Sequence, residues 1–218
     1  MIWGLGTGRC GTRSLAAQYG GLHEPKPWFK EEARNYWMHG EEELLRHRIK
    51  ERAKLDTPLV VDFKQSWCIP LILEIDPDAR FVWLIRDAVD CVNSMVAGKW
   101  WSDRDWHGTR RIEPRAGWTP LDGRMNKCVW YWLTTNRIID DHLSKLDDER
   151  YAILPTVMLK AHKNRYEASS SLHLSEEEVD WVRKKTEGMG RVLSQALLGY
   201  GDYGQPDWLE QHRLAEFA

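Results

Sequence analysis

Residues 2–21 read IWGLGTGRCGTRSLAAQYGG. The apolar start predicts a strand to about residue 6, the glycines a tight loop, and Thr12 to Tyr19 a helix that stops at Gly20 and Gly21. Such a unit turns successive backbone N–H groups and the positive end of a helix toward one place, a setting for an anion. Gly6, Gly8 and Gly11 fit the dinucleotide pattern GxGxxG, and Gly6 and Gly11 also have P-loop spacing. A triphosphatase loop needs lysine after its last glycine, whereas Thr12 and Arg13 follow Gly11 here. A dinucleotide site needs a second strand that ends in an acid about 20 positions on. Glu24 lies near that distance, but YGGLH before it is a poor strand. Arg9, Thr12, Arg13 and Ser14 instead surround Gly11 with two guanidinium groups and two hydroxyls, which suits a multiply charged anion held without metal.

Outward from this unit, Leu59 to Phe63 predicts a second strand. FVWLI at 81–85 is apolar without polar alternation, as in a central strand covered on both faces. Helices are expected over about 40–54, 69–75, 87–97 and 125–146, with a strand over 151–154. Ser175 and Glu178 form a capping box for a helix to about Thr186, and another helix is expected over about 190–198. Residues 98–120, rich in glycine, proline and mixed charges, read as a long loop that covers a substrate. The alternation predicts one α/β domain over residues 1–218, with a mainly parallel central sheet flanked by helices. Its ligand should sit beyond the carboxyl ends of the strands, where the loop at 6–13 and Arg86 both emerge.

With 31 basic and 33 acidic side chains, no charge excess points to nucleic acid or an anionic membrane as partner. Cys10, Cys68, Cys91 and Cys128 form no CxxC pair, so neither zinc nor a disulfide framework is expected and a reducing cytoplasm is the expected setting. No apolar window reaches the roughly 18 residues of a membrane span, and the first 20 residues lack the pattern of a secretion signal. Most of the 13 tryptophans are expected in the core. The group Trp100, Trp101, Trp106 and Trp118 has a second reading, as a stacking platform for a sugar or aromatic acceptor.

RCGTRSL at 9–15 together with FVWLIRDAVDCVNS at 81–94 resembles the sulfotransferases that use 3′-phosphoadenosine 5′-phosphosulfate (PAPS), and the first loop is most similar to that of glycan sulfotransferases. These two segments carry the resemblance; elsewhere only the order of elements fits. The resemblance implies a P-loop-NTPase-like sulfotransferase fold. It gives the 5′-phosphosulfate to Arg9, Cys10, Gly11, Thr12, Arg13 and Ser14, and the 3′-phosphate to Arg86 and Ser94. The product would be adenosine 3′,5′-bisphosphate (PAP), and the acceptor a hydroxyl or amine of a carbohydrate or small molecule, with no metal. Arg9 would stabilise the leaving oxygen. Glu24 is the expected base, His23 the next candidate and His107 a more distant one, with Lys64 near the sulfate. The chain departs from the family pattern where Arg9 replaces the commoner lysine and Ala88 the usual proline, and the later RKG-type loop has no clear counterpart. The rival readings are a P-loop nucleotide kinase or NTPase, and a non-catalytic phosphonucleotide-binding protein.

Overall fold

Strand β1 (Ile2–Leu5) is the middle of a five-stranded sheet in the computed structural model, which describes residues 1–26, 29, 31–102, 112, 123–159, 173–201 and 206–214. Helix α1 (Thr12–Gln18) follows the glycine loop, and then come β2 (Leu22–His23), α2 (Glu32–His39), α3 (Glu43–Arg52) and β3 (Leu59–Val61). A short 3₁₀ turn (Phe63–Trp67) leads into α4 (Ile69–Ile75), β4 (Arg80–Ile85), α5 (Ala88–Ala97), α6 (Arg124–Leu143) and β5 (Tyr151–Pro155). Helices α7 (Glu176–Gly201) and α8 (Asp207–Glu210) complete the described elements. The strand order is β2-β3-β1-β4-β5 and every pairing is parallel. The protein is therefore α/β, with an all-parallel central sheet flanked by helices.

Strand alternation divides the core into two layers. Trp3, Leu5, Val60, Phe81, Trp83 and Ile85 face a large cluster that also holds apolar residues of α3 to α7. Ile2, Val61, Val82 and Leu84 face a smaller one with Leu15, Ala16 and Leu209. Trp83, which would strand an indole N–H in that core, donates it to Asn136 Oδ1 at 3.2 Å. The chain adds β2 and β3 on one side of β1 and β4 and β5 on the other, so the order switches direction at β1. The crevice at such a switch lies where the loop after β1 and Arg86 after β4 leave the sheet.

Several expectations are corrected. The two helices expected over 175–198 are one, α7, although Gly188 and Gly190 lie inside it. Each glycine costs about 1 kcal/mol in a helix. Val182, Thr186, Met189 and Leu193 nonetheless recur at helical spacing and are buried, so packing carries the helix through. The capping box opens it: Ser175 N donates to Glu178 Oε2 at 2.8 Å and Glu178 N to Ser175 Oγ at 3.2 Å. The stretch YGGLH does yield a strand, the two-residue edge strand β2, while β3 ends at Val61 rather than Phe63. Helix α2 was not expected and stops at Gly40, whose φ of 74° is left-handed. Of the expected covering loop, residues 103–111 and 113–122 lie outside the described residues, as do Trp106, His107 and Trp118. Trp100 and Ile112 are buried in the larger core, the plain core role. Among the described residues no helix is long and apolar enough to cross a membrane.

Gly21 lets β2 approach β3, because a Cβ there would stand 2.8 Å from the Leu59 carbonyl oxygen. Gly21→Ala is expected to lower the unfolding free energy by about 1–3 kcal/mol in urea titrations. Gly40→Ala provides the comparison: a Cβ there meets nothing within 4 Å, so its cost is backbone strain alone.

Candidate functional site

The loop between β1 and α1 is held from several sides. Ser66 Oγ accepts from Gly6 N at 2.8 Å and donates to Gly6 O at 2.9 Å. Thr156 Oγ1 lies 2.6 Å from the Cys10 carbonyl and 3.0 Å from that of Ile85, which ties the loop to the ends of β4 and β5. Gly8 and Gly11 take φ of 69° and 95°, and Arg9 between them takes 56°. A non-glycine residue in this left-handed region costs about 1–2 kcal/mol, so its surroundings must impose it. Gly8 has no room for a side chain either, since a Cβ would stand 2.9 Å from Trp100 Cη2 and 3.2 Å from Phe63 Cγ.

The two sequence motifs meet at Arg9. Its Nε donates to Ser94 Oγ at 3.0 Å, and Arg86 Nη1 donates to the Arg9 carbonyl at 2.8 Å. Ser94 is buried on α5, whereas Arg9 and Arg86 are half-buried at the ends of β1 and β4. Trp132 Nε1 donates to the Arg86 carbonyl at 3.2 Å and fixes the backbone there. Cys10 contributes differently from its neighbours. Its thiol is wholly buried, its Sγ faces inward at Gly6, and burial pushes its pKa up, so only its main chain is available to an anion.

A second group adjoins the first through α1. Thr12 Oγ1 lies 3.0 Å from His23 Nε2, and His23 Nε2 lies 3.7 Å from Glu24 Oε1. Glu24 N donates to Val61 O at 2.8 Å, and Glu24 also holds a left-handed φ, 46°. Burial and the nearby Arg13 cation lower the His23 pKa to about 4, against an opposing pull from Asp62. Burial and the Asp62 charge raise the Glu24 pKa, while Lys64, Arg13 and Arg52 draw it down. Lys64, expected near the sulfate, thus acts on Glu24, and its Nζ stands 5.3 Å from the Phe63 ring centre. Arg13 is exposed and Ser14 half-buried on the first turn of α1.

Thr156, Ser66 and Arg52 were not singled out from sequence. Ser66 lies in DFKQSW, where three polar residues interrupt an apolar stretch, a signal that was present. Thr156 had none, since only the sheet brings it to Cys10.

No family model matches the chain, and no curated protein matches it. Among solved structures it is similar to one titled "Sulfotransferase Domain from the Curacin Biosynthetic Pathway", with 16% identity and a TM-score of 0.39. The match covers 72% of this chain and 66% of that one. A likeness this distant assigns no activity to the chain.

The His23 shift has a consequence for stability. The unfolded chain takes up the His23 proton near 6.5 and the native state only near 4, so over that interval the unfolded state binds more protons. Native stability should fall as pH drops from about 6.5 toward 4, by at most roughly 3 kcal/mol from this group. Urea titrations across that range should show a shallower slope for His23→Gln; an unchanged slope would assign the dependence to other groups.

Proposed function

We propose that the chain is a PAPS-dependent sulfotransferase acting on a hydroxyl or amine of a carbohydrate or small molecule, rather than on nucleic acid or a membrane. The observation that carries the proposal is the meeting of the two motifs at one residue, Arg9, through Ser94 and Arg86. The side chains fit the donor. Arg9, Arg13 and Arg86 supply positive charge, and Thr12, Ser14 and Ser94 supply hydroxyls, on the loops and helices that follow adjoining parallel strands at a switch point. Arg9, Gly11, Thr12, Arg13, Ser14 and the Cys10 main chain would hold the 5′ side, and Arg86 and Ser94 the 3′-phosphate. The four cysteines are buried thiols without disulfides, which supports a cytoplasmic setting.

When bound, the donor supplies the sulfuryl group and a phosphate leaving group that gains negative charge. Arg9 keeps its proton in proteins, so it offsets that charge and donates no proton. Glu24 takes the proton of the acceptor. Burial and the Asp62 charge raise its pKa, which makes it a stronger base than an ordinary carboxylate, while the Lys64, Arg13 and Arg52 cations oppose the rise. His23 is the weaker candidate, with a pKa near 4 and its Nε2 engaged by Thr12. Its role is to hold Thr12 beside Glu24. Phe63 and Trp100, with ring centres 6.0 Å apart, pack against Gly8 and back the loop from the core side.

Calorimetric titration should show adenosine 3′,5′-bisphosphate binding about 10- to 150-fold tighter than AMP, the range expected of charge-assisted bonds to one phosphate. Arg86→Ala should remove that preference. Equal affinity for the two nucleotides in the unaltered protein would contradict the assignment. Glu24→Gln should retain the affinity for the bisphosphate and lose transfer of labelled sulfate across an acceptor library by about 100-fold or more.

A further inference from the structure

Arg52 and Asp62 form a wholly buried ion pair outside the groups described above: Arg52 is 0% exposed and Asp62 1%. Buried pairs seldom repay their desolvation as stability, so their placement is the informative property. Arg52, the last residue of α3, donates from Nη2 to Asp62 Oδ2 at 2.8 Å and to the Pro25 carbonyl at 3.3 Å, and from Nη1 to Gln65 Oε1 at 2.8 Å. Its guanidinium carbon also stands 3.6 Å from the centre of the Phe29 ring. Gln65 is tied in turn to the sheet, with Nε2 donating to the carbonyls of Gly4 and Val60 at 3.1 and 3.2 Å.

These contacts converge on the turn that carries Glu24. Before the side chain, the Glu24 N–H is held by Val61 O; after it, the Pro25 carbonyl is held by Arg52. The residue between these two anchors has a left-handed φ that glutamate does not adopt unaided. We propose that Arg52, fixed by Asp62 and Gln65, is a positioning residue that holds the Glu24 turn in the strained conformation aiming its carboxylate at the site. The proposal rests on the reading of Glu24 as the base. Arg52 holds the turn through the Pro25 carbonyl, and its charge also draws the Glu24 pKa down. A buried guanidinium suits the task because its planar fork reaches a carboxylate, an amide oxygen and a main-chain carbonyl together, which a hydrocarbon of equal volume cannot do.

The test is the variant Arg52→Met/Asp62→Asn, which removes both charges and leaves neither buried alone. Hydrogen exchange of the Glu24 amide in the ligand-free protein should become at least about tenfold faster, while that of loop residues 6–13 changes less than about twofold. Sulfate transfer should lose about 100-fold in kcat, with the KM for PAPS within about twofold. Adding Glu24→Gln should then lower kcat no further, because both changes act through one carboxylate. Should the double variant not fold, Arg52→Lys takes its place, since it keeps the buried charge but lacks the fork, and the same exchange and kinetic shifts are expected. Unchanged exchange at Glu24, or losses that multiply when Glu24→Gln is added, would overturn the proposal. Faster exchange in a protein that transfers no sulfate even unaltered would uphold the holding of the turn and remove the role of Glu24 as base.

Discussion

Two hydrogen bonds to one residue join the halves of the site. Arg86 holds the Arg9 carbonyl, and the Arg9 guanidinium reaches Ser94, 85 positions further along the chain. The first bond belongs to the end of β4 and the second to α5, so the position of Arg9 depends on the register of β4 against β1. Bringing two guanidinium side chains to adjoining strand ends costs like-charge repulsion, which a bound anion would relieve. The β1–β4 pairing sets the distance between the loops, and the loops set the spacing of the charges.

Backbone strain marks the same places. Among the described non-glycine residues, Arg9, Glu24, Lys99 and Trp101 have positive φ, and the first two are the central members of the two side-chain groups at the site. Each is held by its surroundings: Arg9 by Arg86 and Ser94, Glu24 by Val61 and by the buried Arg52 beyond Pro25. Strain of about 1–3 kcal/mol persists only where neighbouring contacts over-determine it, and both positions meet that condition. The rigid sheet thus presents a cation and a carboxylate from conformations that a free loop would leave.

Much of the architecture was legible because it rests on local patterns. The strand, glycine loop and helix at 2–18, the apolar strand at 80–85 and the capping box at Ser175 follow from periodicity and turn chemistry, and each forms near its expected place. What was not legible depends on tertiary packing. β2 has almost no strand character and exists because Gly21 lets it lie against Leu59. α7 runs through two glycines, with Met189 between them and Leu193 after them both buried. At the site, Arg9, Arg86 and Ser94 were named from their motifs, and the sheet explains why they meet. Arg52 sits in the charged run ELLRHRIKER, where helical spacing puts it on the face of the buried Leu45 and Ile49, but a charged residue ending that face does not by itself reveal a buried ion pair.

The central claim is that the two motifs hold the two phosphate ends of one nucleotide. A crystal structure of the chain with adenosine 3′,5′-bisphosphate tests it most directly. The account predicts the 5′-phosphate against the main-chain N–H groups of residues 9–13 and the 3′-phosphate within hydrogen-bond distance of Arg86 and Ser94. A nucleotide bound away from the glycine loop, or one whose 3′-phosphate points into solvent, would contradict it.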